Sequence, residues 1–464
     1  MLFSSITFLY YFLPVTLLLY FVAPQKMKNA VLFIASIIFY AWGEPKYVVL
    51  MIVSIIVGYA AGRLIETFYA KPYAGYILAG AILIHLGGLI YFKYADFILA
   101  NMNRLSGSSF PMLKLALPIG ISFYTFQILS YEIDVYRGHV KAQKNILYLA
   151  TYISMFPQLI AGPIVRYSDI EDKLSKRSIN HEKMYLGVWR FTMGLGKKVL
   201  IGNTLGELCE IFKVSQDKAV LYFWLYAICF TLHIYYDFSG YSDMAIGLGH
   251  IFGFHFMENF NYPYISKSVT EFWRRWHMSL SQWFRDYVYI PLGGNRCSVK
   301  RWILNIVIVW FLTGLWHGAE WNFALWGMYF ALLLMVEKFW IGKKLEKHPV
   351  VGHVYTCLMI VLGFVLFNAN GLEEAFQYIK AMVGMGGYPL TSLEFFYYVR
   401  SYAVLLVVGI IGATPAIAKA LEVLKEKTGR WSTIFEIAIL VAILVLSTAY
   451  LVDGSFNPFL YFRF

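Results

Sequence analysis

Long apolar runs, interrupted by short polar joints, dominate the chain. A helix needs about 20 apolar residues to cross a hydrocarbon core roughly 30 Å thick at about 1.5 Å per residue. Residues 5–23, 29–42, 46–62, 74–92 and 112–130 form a first group of such runs, divided by joints such as Gln25-Lys26-Met27-Lys28 and the stretch from Arg63 to Lys71. The run 145–162 is interrupted by Pro157 and by Gly162-Pro163, which predicts a re-entrant hairpin rather than a crossing. Residues 163–217 predict amphipathic or partly inserted helices, with Arg190, Lys197 and Lys198 facing headgroups. Residues 219–254 are long enough for two spans with a break at Asp237-Phe238-Ser239-Gly240-Tyr241-Ser242-Asp243, whose two carboxylates would cap or pair across that break. The runs 302–316 and 321–341 predict a hairpin with its tip at Trp316-His317-Gly318. Residues 352–369, 402–420 (kinked at Pro415) and 433–452 complete the set.

Charge placement then orients the spans, because basic residues near span ends collect on the cytoplasmic side. Segment 263–301 carries Lys267, Arg274, Arg275, Arg285, Arg296, Lys300 and Arg301 against Glu271 and Asp286, the strongest cytoplasmic signal in the chain. The loop from Tyr131 to Lys144 and the group Lys419, Lys425, Lys427 and Arg430 also belong inside. The N-terminus, the slightly acidic stretch 370–401 and the C-terminal segment 453–464 belong outside. The first run has no basic residue before it and no small-residue cleavage site, so it reads as a retained span.

Composition agrees with this pattern. Of the 464 residues, 59% are hydrophobic and 14% charged, against about 25% charged in soluble domains. With a mean hydropathy of +0.59, this excludes an ordinary soluble enzyme and points to an all-α polytopic membrane protein, residues 1–464 forming a single integral-membrane domain in the bilayer. The net charge of +12 is also compatible with anionic partners at a basic face. The cysteines Cys209, Cys229, Cys297 and Cys357 lack the spacing of a disulfide framework or a zinc site, so no metal is expected.

The most informative residue is His317, at the turn between two strongly apolar runs. An ionisable group there is costly and marks a functional site by default, although a neutral core imidazole held by one hydrogen bond would fit the same position. His277 lies among alternating tryptophans and arginines from Phe272 to Tyr287, a pattern that an interfacial amphipathic helix also produces. No nucleic-acid module accompanies this basic, aromatic stretch, so nucleic acid is not an expected partner. His250 and His255 are five apart, and Asp237 and Asp243 lie about 240° apart on a helix, so neither pair forms an obvious site. Segment 453–464 is dense in aromatics, as an interfacial belt would be. From Val452, nine residues reach Tyr461 and span up to about 30 Å, enough to return to the level of His317.

Four stretches resemble the membrane-bound O-acyltransferases (MBOAT), in their bacterial, alginate-acetylating branch. They are Tyr236-Asp237-Phe238-Ser239-Gly240-Tyr241-Ser242-Asp243-Met244-Ala245-Ile246-Gly247, the block from Arg274 through Tyr289-Ile290-Pro291-Leu292-Gly293-Gly294, Thr313-Gly314-Leu315-Trp316-His317-Gly318, and Phe156-Pro157-Gln158-Leu159-Ile160-Ala161-Gly162-Pro163. The resemblance implies a ring of about 10 to 11 transmembrane helices plus re-entrant helices around a central funnel. His317 matches the family's catalytic histidine and His277 its second functional one. Arg274, Arg275, Trp276, Arg285, Asp286 and Trp316 become candidates for a donor funnel. Phe459-Leu460-Tyr461-Phe462-Arg463-Phe464 looks like the F-x-Y-F-R-F ending of the small peptide that serves the teichoic-acid D-alanylation member. That makes Tyr461 an acyl relay, with Phe459, Phe462, Arg463 and Phe464 holding the segment in a tunnel.

These expectations combine into an O-acyltransferase of the bacterial cytoplasmic membrane, with both termini extracytoplasmic. It takes an acyl group, foremost acetyl, from a cytosolic coenzyme A or acyl carrier protein thioester, with no bound cofactor. The group passes through Tyr461 to an extracytoplasmic serine-type transferase and a cell-surface polysaccharide. Two rivals remain: direct transfer without the Tyr461 relay, and a secondary transporter or polysaccharide exporter. The exporter reading predicts inverted repeats, which the sequence does not display.

Overall fold

A computed structural model describes residues 1–429, 431–454 and 456–458. Among these residues the regular elements are all helical. Six helices are long and apolar enough to cross a membrane, or seven if the bent pair Leu393–Ser401 and Ala403–Gly412 counts as one span. The 10 to 11 spans expected from apolar runs included shorter segments, which appear here as helices of 10–16 residues such as Leu13–Val22, Lys28–Gly43 and Ile121–Tyr136.

The chain divides into two compact units. The first, residues 1–191 and 242–257, contains α1 (Leu13–Val22), α2 (Lys28–Gly43), α3 (Val48–Thr67), α4 (Pro72–Ser106), α5 (Ile121–Tyr136), α6 (Ile146–Ser154), α7 (Phe156–Leu159), α8 (Tyr167–Ser175) and most of α9 (His181–Gly196). Its helices α3, α4 and α5 pack on one another, and a buried pair, His85 Nε2 to Glu132 Oε1 at 3.1 Å, joins α4 to α5. The expected span at 112–130 starts only at Ile121, after Pro111, Pro118 and a left-handed Gly120 whose absent side chain admits the Leu159 carbonyl. Residues 145–162, expected as a re-entrant hairpin interrupted at Pro157 and Gly162-Pro163, form two short helices, α6 and α7, that break at Met155, with Pro157 inside the first turn of α7.

The second unit, residues 192–241 and 258–464, contains a π-helical segment Lys197–Asn203, α10 (Thr204–Val214), the first part of α11 (Val220–Ile251), α12 (Val269–Arg275), α13 (Met278–Phe284), α14 (Val299–His317), α15 (Trp321–Val336), α16 (Gly342–Lys347) and α17 (Pro349–Asn368). It continues through α18 (Leu372–Met382), α19 (Leu393–Ser401), α20 (Ala403–Gly412), α21 (Ala416–Thr428) and α22 (Trp431–Val452). The expected kink at Pro415 is a complete interruption between α20 and α21.

Two expectations are corrected. Helix α11 runs unbroken for 32 residues through the predicted break. Its polar residues do not end the helix because cations reach them from the side: Lys198 pairs with Asp237 at 2.8 Å, and Arg190 with Asp243 at 2.9 Å. Consequently Lys198, with no exposed side-chain surface, does not face headgroups, and the two aspartates do not cap a hairpin. The stretch 272–287 is likewise not one amphipathic helix, since α12 stops at Arg275 and α13 starts at Met278.

The α14–α15 hairpin is set by close backbone approach. A methyl added at Gly314 would lie 2.3 Å from the Phe323 carbonyl oxygen, and one at Gly327 would lie 2.1 Å from that of Trp310. Both contacts are with backbone, which cannot swing aside. Gly327→Ala should therefore cost about 1–3 kcal/mol by overpacking, whereas Gly80→Ala, with no atom within 4 Å, should be neutral or stabilising. Thermal unfolding in detergent checks this: a Gly327→Ala melting temperature equal to that of Gly80→Ala would refute the packing argument.

Candidate active site

His317 is the last residue of α14, just before Gly318 ends the helix in extended conformation. Gly318 has no room for a side chain, because a methyl there would meet the Phe323 ring at 2.2 Å. The chain therefore turns at once into α15. The imidazole is 4% exposed, and its ring centroid lies 5.0 Å from Trp316, 5.1 Å from Trp326 and 5.4 Å from Phe367, each ring nearly perpendicular to it. The Asn322 amide donates to the Ala369 carbonyl at 3.0 Å, tying the start of α15 to the end of α17 and so fixing the Phe367 wall. The apolar part of α14, Trp302 to His317, rises about 24 Å, short of the hydrocarbon thickness.

His277 occupies the break between α12 and α13. Ser268 caps α12 by accepting the Glu271 N–H at 3.0 Å, while Glu337 accepts the Val269 and Thr270 N–H groups at 2.6 and 2.8 Å. Trp276 then turns extended, and His277 adopts a left-handed conformation at φ +44°. Such backbone costs on the order of 1–3 kcal/mol and persists only where the surroundings over-determine it. Here Asn261 N–H binds the Arg275 carbonyl at 2.9 Å, and Met278 N–H binds the Asn259 carbonyl at 3.0 Å.

The Asn259 side chain decides the tautomer of His277. Its Oδ1 accepts the Ser279 N–H at 3.2 Å and lies 2.9 Å from the Ser279 hydroxyl. The same oxygen lies 3.2 Å from His277 Nδ1. A backbone N–H can only donate, so this atom is the amide oxygen and Nδ1 must carry the proton. Nε2 is then the basic nitrogen. Burial pushes the His277 pKa down to about 3, so the ring stays neutral at physiological pH.

Trp316 brings the two histidines into one site. Its ring lies 5.8 Å from His277 and 5.0 Å from His317, and Phe238 of α11 closes the far side of His277 at 4.7 Å. Sequence reasoning therefore found three members, His317, His277 and Trp316, and missed Asn259, Phe238, Trp326 and Phe367. Asn259 had one available signal, the turn-forming Asn-x-Asn-x-Pro run at 259–263.

The other funnel candidates scatter. Arg274 is exposed and lines a cavity of about 800 Å³ together with Lys267, Tyr289, Trp302 and Lys338. Arg275 is held by Glu271 at 2.8 Å and by the Asn261 carbonyl. Trp276 is buried among Phe260, Phe272 and Phe364. Arg285 pairs with its neighbour Asp286 at 2.7 Å. Among the described residues, no group of three or more His, Cys, Asp or Glu side chains could hold a metal ion; the His250 and His255 rings lie 5.3 Å apart, tilted by 57°. Phe459, Tyr461, Phe462, Arg463 and Phe464 lie outside the described residues.

Comparison with known proteins places this geometry. Residues 137–368, which include both histidines, match the membrane-bound O-acyltransferase family. The chain is 38% identical to the probable alginate O-acetylase AlgI of Pseudomonas putida across the whole of both chains. It is 33% identical to the peptidoglycan O-acetyltransferase of Helicobacter pylori, over 85% of this chain and 82% of that one. It is 29% identical to the teichoic acid D-alanyltransferase of Bacillus subtilis, over 68% and 82% respectively. With its apolar helices and its family match over residues 137–368, the chain belongs to the membrane-bound O-acyltransferase family and is a multi-pass membrane O-acyltransferase.

Proposed function

We propose that this enzyme moves an acetyl group from a cytosolic thioester, through Tyr461, to an extracytoplasmic serine-type transferase and then to a cell-surface polysaccharide. The observation that carries the reading is that His277 and His317, both buried, each pack on the Trp316 ring in an aromatic site. The names of the relatives point to the acceptor class: alginate, peptidoglycan and teichoic acid.

His317 acts as general base on the Tyr461 hydroxyl, which at an unperturbed pKa near 10 is a poor nucleophile without help. The phenolate oxygen attacks the thioester carbonyl, the carbon–sulfur bond breaks, and the imidazolium returns its proton to the departing thiolate. An aryl ester remains on Tyr461. Its leaving group is more acidic than an alkyl alcohol, so passage of the acyl group to a serine hydroxyl is downhill. His277, neutral and presenting Nε2, orients the donor. The cavity beside Arg274, Lys267, Lys338 and Lys343 also carries Glu271, Glu337 and Glu346, and its cations could meet the phosphates of coenzyme A or of a carrier's pantetheine arm.

Incubation with labelled acetyl donor and mass spectrometry of the C-terminal peptide should find label on Tyr461. His317→Ala should lower that labelling about 10²–10⁴-fold, as loss of a general base does. Acceptor turnover that continues undiminished in Tyr461→Phe sinks the relay and leaves direct transfer. Comparing acetyl-coenzyme A with an acetylated carrier protein identifies the donor.

Arg274→Gln should raise the donor KM several-fold with little change in kcat; an unchanged KM removes the cavity from donor binding. The pH profile separates the histidines. Because the His277 pKa is depressed to about 3, any acid limb of kcat between pH 5 and 7 belongs to another group. His277→Asn keeps a residue that tolerates the left-handed backbone, so its residual activity should show the limb at the same pH. A displacement of one unit or more would assign the limb to His277 instead.

A further inference from the structure

The second unit holds a charged cluster that the chemistry above does not use. Lys198 and Asp237 are both fully buried and pair at 2.8 Å. Lys198 Nζ also donates to Asn203 Oδ1 at 2.5 Å and to the carbonyl oxygen of Pro458. Asn203 Nδ2 donates to Asn457 Oδ1 at 3.1 Å. The C-terminal segment, having left α22, is thus gripped at two consecutive residues.

Local structure explains how the cluster assembles. Lys198 and Asn203 are five residues apart, which would place them on different faces of an α-helix. The π-helical segment Lys197–Asn203, with its wider i to i+5 turn, brings them to one face. Gly240 lets α11 approach, since a methyl there would lie 2.7 Å from the Gly194 carbonyl and 2.9 Å from the Lys198 nitrogen. Gly202 approaches the backbone of Tyr236 and Asp237 in the same way.

The arithmetic of the ammonium group is decisive. It has three N–H donors and no acceptor. Asn203 and Pro458 accept two of them, and Asp237 lies beside the ammonium as its counter-charge. A buried cation is costly unless its donors are satisfied, so the cluster is complete only with the segment in place. Asp237 is also followed directly by Phe238, whose ring packs on His277 at 4.7 Å. From Pro458, three residues of chain reach at most about 11 Å to position 461.

We infer that Lys198, Asp237 and Asn203 form an intramolecular docking site for Asn457-Pro458, which fixes the point from which Tyr461 is presented to the two histidines. They are positioning residues. The link to acyl transfer rests on the Tyr461 relay proposed above, whereas docking itself can be read separately.

The test therefore has two arms. In the full-length protein, cysteines replacing Asn203 and Asn457 should crosslink in high yield with a short thiol reagent, located by mass spectrometry. The yield should fall several-fold when Lys198→Met and Asp237→Leu are added together, a pair that removes the site without stranding a charge. In the second arm, Asn203→Ala and Asn457→Ala should each slow single-turnover acylation of Tyr461 about tenfold with donor KM unchanged; Asn203→Ala, which strips an acceptor from the buried ammonium, should also lower the melting temperature, whereas Asn457→Ala should not. The double variant should be no slower than either single one. Absence of the 203–457 crosslink, or fully additive losses in the double variant, overturns the docking site. A crosslink with no label on Tyr461 in the wild type keeps docking and rejects the relay.

Discussion

A charge buried in an apolar membrane protein persists only where the protein supplies its partner. That constraint organises both units. Asp237 and Asp243 sit within one uninterrupted helix because Lys198 and Arg190 reach them from α9 and the π-helical segment beyond it. Glu132 is matched by His85 across two helices, and Glu337 is spent on the exposed N–H groups that begin α12. Each pairing also fixes a register, so the few polar residues serve as alignment points for long, otherwise slippery apolar surfaces. A buried ion pair is weak evidence of net stability, but breaking one partner from it is expensive, and that asymmetry is what locks the alignment.

Glycine supplies the complementary device. Gly240 and Gly202, and likewise Gly314 and Gly327, mark close approaches of two backbones, tight at 3.1 Å for Gly202 and too close for any Cβ at the other three. The first two bring Lys198 to Asp237; the second two bring α14 against α15 so tightly that His317 is presented at the tip rather than buried along the seam. The same apolar chemistry thus yields a rigid frame without polar cost, leaving the imidazoles among tryptophan and phenylalanine rings where bulk water is excluded.

Much of this was legible in the residues, and the limits have physical causes. Apolar length located the hairpin at His317, and the proline and glycine interruptions located the broken helix at 145–162, because both signals are local. The continuity of α11 was not legible, since Asp-Phe-Ser-Gly-Tyr-Ser-Asp resembles a turn until the distant Lys198 and Arg190 are known to neutralise it. The burial of Lys198 was hidden for the same reason. The pattern around His277 also fitted an interfacial helix, because its left-handed backbone is held by Asn259 and Asn261, which are too far along the chain to appear in a periodicity window. Of the proposed funnel, only Trp316 joins the histidines and only Arg274 faces a cavity; Arg275 and Arg285 are taken up by neighbouring carboxylates.

The two histidines differ in what holds them, and the difference argues for unequal roles. His277 is bound by Asn259 to one tautomer, in a backbone conformation with little freedom, and burial keeps it neutral. A group so constrained is suited to presenting a fixed lone pair, and poorly suited to cycling through a protonated state. His317 ends a helix, with the rings of Trp316, Trp326 and Phe367 packed nearly perpendicular to its imidazole at 5.0, 5.1 and 5.4 Å. An aromatic ring that turns its face to an imidazolium stabilises it, so such a setting is compatible with the general-base role proposed for His317. Trp316 packs on both rings, so in the mechanism proposed above it would hold an orienting nitrogen and a proton-transferring ring in one frame, into which a thioester and a phenol would have to fit together.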